Sequence, residues 1–186
     1  MEITKTILEG VLILTPSFFR DNRGWFMETY SEETLQKAGL SLHFVQDNHS
    51  FSEKEGTVRG LHYQLYPKAQ SKLVRCTKGA IFDVAVDIRK DSPTYTKWVG
   101  IELSADNKKQ LLVPKGFAHG FMTLMANTEV QYKVDEHYSK EYDHGIIWND
   151  PTLDIDWPGH VTPILSKKDA EAPLLKNARH HFGEKE

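Results

Sequence analysis

Ile81-Phe82-Asp83-Val84-Ala85-Val86-Asp87-Ile88-Arg89 is the stretch on which the fold turns. Phe82, Val84, Val86 and Ile88 alternate with Ile81, Asp83, Ala85, Asp87 and Arg89. The period is two and one face is wholly apolar, the signature of a β-strand. The same reading, carried outward, finds strands at 43–50, 57–65, 72–77, 97–103, 110–113, 117–124 and 129–134. Upstream, Gly10-Val11-Leu12-Ile13-Leu14 is an apolar run stopped by Pro16. Asp21-Asn22-Arg23-Gly24 is a turn leading into an aromatic strand over 25–30. One short helix is expected over 31–39, capped by Ser31, with Glu32 and Glu33 at its positive end and Gly39 closing it. From Pro151 onward the chain is loop-rich, with a second helix starting near Ser166. Many short antiparallel strands with few helices leave a sandwich, an up-and-down barrel or a jelly roll.

The chain of 186 residues fits one domain spanning 1–186. Its net charge of −3 argues against a general nucleic-acid binder, so an anionic ligand must be met by a local group of Arg, Lys and His. The single Cys76 excludes an intrachain disulfide and a Cys-rich zinc site. Met1-Glu2-Ile3-Thr4-Lys5 carries no basic-then-apolar signal, and no apolar run is long enough for a bilayer. A soluble cytoplasmic protein with no membrane or nucleic-acid partner is expected.

Three segments can carry chemistry: Val58-Arg59-Gly60-Leu61-His62-Tyr63-Gln64, Val113-Pro114-Lys115-Gly116-Phe117-Ala118-His119-Gly120-Phe121 and Ser166-Lys167-Lys168-Asp169. Each also has a plain structural role. His62 and His119 fit as hydrogen-bonded strand residues, and Tyr132 as an amphipathic core residue. Lys72 and Lys168 fit as solvated charges. Asp169, three residues after Ser166, fits a helix capping box.

Pro114-x-Gly116-x-x-His119 resembles the second motif of the cupin superfamily, which implies a jelly-roll barrel. The cupin metal pair is altered, because His62 is followed by Tyr63 and Gln64 rather than a second histidine. A metal-free site follows, since stable Zn or Fe sites need three or more ligands.

Arg59-Gly60-Leu61-His62, Gln46-Asp47-Asn48-His49-Ser50, Lys72-Leu73-Val74-Arg75-Cys76, Phe82 to Arg89, Pro114 to Phe121, Ile147-Trp148-Asn149-Asp150 and Leu165-Ser166-x-Lys168-Asp169 together resemble the dTDP-4-dehydrorhamnose 3,5-epimerase family, in order over nearly the whole chain. The resemblance implies an all-β cupin-type jelly-roll barrel with a few short peripheral helices. It implies a homodimer, no cofactor, and inversion of C3 and C5 of dTDP-4-dehydro-6-deoxy-D-glucose. By resemblance His62 is the base, Asp169 its dyad partner, Lys72 the cation at the enolate oxygen and Tyr132 the acid on the other face. His119 and Asp83 form a second pair supporting the sugar site. Arg23, Arg59 and Lys168 meet the diphosphate. Glu28, Gln46, Asp47 and Asn48 correspond to nucleotide or sugar contacts, and Tyr138 to the group stacked on thymine. Asp143 stands where the family often has Glu.

Arg59 and His62 are three positions apart, so a regular strand sends them to opposite faces; a bulge at Gly60 reconciles them. The runs at 10–14 and 25–30 are expected to supply a dimer interface, with Arg23, Phe26 and Glu28 reaching the neighbouring site. The alternatives are a related single-carbon epimerase of dTDP-4-keto sugars, a non-catalytic cupin sugar-nucleotide module, and a metal-dependent isomerase, the last disfavoured by the missing histidine.

Overall fold

The computed structural model describes residues 1–159, 162–180 and 182. In chain order the elements are β1 (Glu2–Lys5), β2 (Leu12–Thr15), β3 (Phe18–Asp21), β4 (Gly24–Met27), α1 (Glu32–Lys37), β5 (Gln46–Ser52), β6 (Val58–Gln64), β7 (Lys72–Lys78), β8 (Ala80–Asp87), β9 (Trp98–Ser104), β10 (Gln110–Val113), β11 (Phe117–Thr123), β12 (Thr128–Val134), β13 (Asp143–Gly145) and α2 (Lys167–Ala170), then a 3-10 turn at Leu175–Asn177. Two antiparallel sheets form a jelly roll. One runs β1-β2-β10-β7-β12-β5 and the other β13-β6-β11-β8-β9. Among the described residues no helix is long and apolar enough to cross a membrane.

Strand β8 shows how the layers are built. Its wholly apolar face does not line the barrel interior. Val84, Val86 and Ile88, with Phe82, pack against Leu153, Trp157, Leu175 and Phe182 of the C-terminal segment. The opposite face carries Ile81 and Ala85 into the interior with Val74, Leu111, Phe121 and Val130. Asp83 lies on that inner face and is fully buried. Both faces are thus covered, and the polar residues mark the interior rather than solvent. Each fully buried Val or Ile contributes about 1.5–3 kcal/mol relative to exposure.

The outer face of the six-stranded sheet is covered at one end by Leu35 of α1, which packs with Leu14, Leu73 and Leu112. Ser31 caps α1 by accepting from the Thr34 amide at 3.2 Å, and Gly39 beyond it adopts φ +81°. Val11 and Leu14 of the expected interface run are fully buried in this chain, and β2 pairs with the chain's own β1 and β10. That run is therefore core, because its alternate residues fill the inner and outer clusters of one sheet. The β3–β4 hairpin differs: Phe18, Phe19, Trp25 and Phe26 are all exposed.

Candidate active site

Strand β6 brings the first group of residues together. In the β6–β11 ladder His62 stands opposite His119 and Arg59 opposite Phe121, with a register shift between them. His119 and Phe121 are two apart and share one face, so His62 and Arg59 also point the same way. This is the bulge expected at Gly60, which adopts φ +129°. A Cβ on Gly60 would meet the Gly120 Cα at 2.5 Å and the His119 carbonyl oxygen at 2.8 Å. Only facing glycines allow that approach of the two backbones.

His62 Nε2 lies 2.5 Å from Asp169 Oδ1. An ionised carboxylate only accepts, so Nε2 carries the proton and Nδ1 is left as the basic nitrogen. Ser166 Oγ donates to Asp169 Oδ2 at 2.8 Å and accepts from the Asp169 amide at 3.1 Å. Asp169 is both helix cap partner and histidine partner. Burial pushes its carboxyl up, but the His62 hydrogen bond and charge, with Ser166 and Lys168, outweigh burial and hold it below the usual carboxylate range.

Lys72 of β7 is buried, and its Nζ donates to the His62 carbonyl at 3.3 Å. Burial brings its pKa down to about 8, against the opposing pull of Asp143 and Asp83. From the same sheet as Lys72, opposite that of His62, Tyr132 packs on the same interior cluster as Phe121. Burial raises the Tyr132 phenol, the Arg59 charge lowers it and Asp143 raises it, so it is protonated at neutral pH. His62 and Tyr132 therefore enter the interior from opposite sheets.

His119 Nε2 lies 2.8 Å from Asp83 Oδ1, and both side chains are buried. Among the described residues no group of three or more His, Cys, Asp and Glu side chains is arranged to hold a metal. Gln64 stands where the second cupin histidine would be. Its amide is fully committed, donating to the Lys68 and His137 carbonyls and accepting from the Ser139 amide. It thus fixes the loop that presents Tyr138, a role the sequence reading missed, although the departure from His-x-His was its signal.

At the rim, Asp143 Oδ2 accepts from Tyr138 Oη at 3.1 Å and from Lys168 Nζ at 2.5 Å. Gln46 Nε2 donates to Asn48 Oδ1, and Gln46 Oε1 accepts from the Tyr138 amide. Arg59 donates to Ser52 Oγ and the Phe51 carbonyl on β5. Asp47 does not join them. It alternates to the outer face of β5, pairs with Lys133, and lines a cleft of about 290 Å³ with His49, Arg75 and Gln131, which Asn48 and Tyr132 also border. Nor are Arg23, Phe26 and Glu28 brought to His62 within this chain. Arg23 and Phe26 lie on the exposed hairpin, where Arg23 pairs with Asp21, while Glu28 accepts from Thr34.

The family model described as dTDP-4-dehydrorhamnose 3,5-epimerase matches residues 5–177. A relative of that name from Salmonella typhimurium is 52% identical over 179 residues, covering 96% of this chain and 97% of the relative. A crystal structure of dTDP-4-dehydrorhamnose 3,5-epimerase from Bacillus anthracis with TDP and PPi bound is 53% identical, with a TM-score of 0.90 over 93% of this chain and 98% of that one. The Legionella pneumophila dTDP-6-deoxy-D-glucose-3,5-epimerase, in complex with dTDP-4-keto-L-rhamnose, is 44% identical with a TM-score of 0.91, covering 95% and 93%.

Proposed function

The chain belongs to the dTDP-4-dehydrorhamnose 3,5-epimerase family, and from that premise we propose that it inverts C3 and C5 of dTDP-4-dehydro-6-deoxy-D-glucose to give dTDP-4-dehydro-L-rhamnose. It is an isomerase acting on carbohydrate, built on the cupin-type jelly roll. Both carbons flank the C4 ketone, so loss of either proton gives an enolate at one oxygen. His62 Nδ1 takes the proton, and Asp169 holds the tautomer and stabilises the imidazolium as it forms. Lys72 stabilises the enolate oxygen electrostatically. Tyr132 returns a proton to the opposite face. Arg59 and Lys168 meet the diphosphate, Tyr138 stacks on the base, and Gln46, Asn48, His119 and Asp143 complete the substrate contacts. Asp83 supports His119, and the reaction uses no cofactor or metal.

The observation that carries this reading is a carboxylate-oriented histidine on one sheet and a protonated tyrosine on the other, with a buried lysine beside the histidine. A binding module needs no such set. The test is incubation of the substrate in D2O, followed by NMR. Deuterium at both C3 and C5 with inverted configuration supports the double epimerase. Retention at either carbon makes it a single-carbon epimerase, and absence of uptake makes it a binder.

We read residues 1–186 as one domain that works as a homodimer in the cytoplasm, a location with which the buried free thiol of Cys76 agrees. The exposed aromatic hairpin is the surface that supports dimerisation, and it carries Arg23 and Phe26 toward a neighbour's site with Glu28 just beyond. Sedimentation showing only monomer at micromolar concentration with full activity would remove that part.

A further inference from the structure

Asp169 sits on a helix of four residues, and its side chain rotates about two bonds. Left with one anchor, the carboxylate can swing and present either oxygen, or neither, to His62. The structure supplies a second anchor. Oδ1 faces His62 Nε2, while Oδ2 accepts from the Ser166 hydroxyl, whose oxygen accepts from the Asp169 amide. Serine at an N-cap is common and by itself means only helix stability. Here the hydroxyl also donates, and its acceptor is the oxygen next to the one that orients the base. The Asp169 side chain is only 6% exposed, so water does not readily replace this donor.

We propose that Ser166 is a positioning residue of the reaction. Its hydroxyl locks the Asp169 carboxylate so that His62 keeps its proton on Nε2 and its lone pair on Nδ1. The proposal rests on the reading of His62 as the base. Around the pair stand Lys168 on the same helix, Asp143 of β13 paired with Lys168, Lys72 of β7 at the His62 carbonyl and His119 of β11 opposite His62. Substituting Ser166 leaves all of these in place. Loss of the donor leaves Asp169 less stabilised as an anion and lets it pull harder on the His62 proton. Both changes move the acid limb of activity to higher pH.

The experiment compares Ser166→Gly, Ser166→Ala and Ser166→Thr with the wild type and His62→Ala in the full chain. It reads deuterium uptake from D2O against pH, KM and melting temperature. Glycine at an N-cap holds a helix nearly as well as serine, so Ser166→Gly separates capping from positioning. The expected result is a kcat lower by roughly 10- to 100-fold, the usual size for groups that orient a functional ligand, with KM and melting temperature near wild type. The acid limb shifts upward, and Ser166→Thr restores both rate and limb. Wild-type kcat and pH limb in Ser166→Gly, beside an inactive His62→Ala, would overturn this proposal alone. A rate loss that follows melting temperature with the limb unmoved, or that Ser166→Thr does not restore, would also overturn it. Uptake surviving in His62→Ala would overturn the base assignment and this proposal with it.

Discussion

Two histidine–aspartate pairs stand side by side in this barrel, His62–Asp169 and His119–Asp83, and their histidines face each other across one ladder. They share chemistry and differ in access. The His62 side chain is 32% exposed, whereas that of His119 is 8% exposed. Asp169 arrives on a helix, with both oxygens held by side chains. Asp83 comes from the adjacent strand, is fully buried, and its Oδ2 has no hydrogen-bond partner among the described residues. A base must reach its substrate and be oriented by a complete partner; the first pair meets both conditions. The second is a buried negative charge beside a buried cation, for Asp83 helps keep Lys72 protonated against burial. The residue types alone do not distinguish the proposed base from the buried supporting pair. Exposure and the partners of the second oxygen do.

The widest separation of the pairs comes from removing each histidine. His62→Ala should abolish deuterium uptake at both carbons with little change in melting. His119→Ala should leave measurable uptake but destabilise the fold by up to about 3–5 kcal/mol, because it strands a buried charge. NMR in D2O beside urea unfolding reads both, and equal uptake in the two variants would erase the distinction. Asp169→Ala comes next, with a kcat loss of roughly 10⁴-fold, as for the carboxylate of a serine-protease triad. Its stability cost is only ~1 kcal/mol. Intact activity with that same stability loss would reduce Asp169 to a cap.

A smaller effect concerns pH. Lys72 must be protonated to stabilise an enolate, and burial puts its pKa at about 8. Activity should therefore fall as pH rises through about 8, rather than near the usual lysine value of 10.5. Asp83→Asn removes a charge that raises the Lys72 pKa, so the alkaline limb should move to lower pH. An unmoved limb would separate Asp83 from Lys72. The smallest effect is expected at Asp47, on the outer face. Asp47→Ala should leave kcat and KM unchanged and alter stability by no more than ~1 kcal/mol, the usual worth of an exposed ion pair. A raised KM would place it in the site after all.

How much of this was legible in the sequence follows physical lines. The alternation at β8 predicted a strand but not which face was inside, because both faces are covered and the apolar one meets the C-terminal segment. The Gly60 bulge was legible because two side chains needed one face, and the register shift is there. Asp47 was carried along by its neighbours Gln46 and Asn48, although strand alternation sends it the other way. Strands β1, β3 and β13 were missed for different reasons. β1 is short and mostly exposed, β3 is two aromatics followed by Arg20 and Asp21 with no alternation and wholly exposed, and Asp143-His144-Gly145 has no apolar residue to alternate. Ser166 was legible as a cap, but its second bond depends on the Asp169 side-chain torsion, which no sequence pattern encodes.

In the proposed mechanism the interior splits base and acid between its two sheets, with His62 on one and Tyr132 on the other. Deuterium uptake and inversion, measured together for Tyr132→Phe in D2O by NMR, test it most directly. The variant keeps the ring among its interior neighbours and removes only the acidic proton. His62 and Lys72 should still form the enolate, and His62 can return solvent hydrogen to the face it left. The predicted result is continued uptake with inversion slowed by ~10²–10⁴-fold, most clearly at C5. Inversion at the wild-type rate, or equal loss of uptake and inversion, would contradict the division of labour between the sheets.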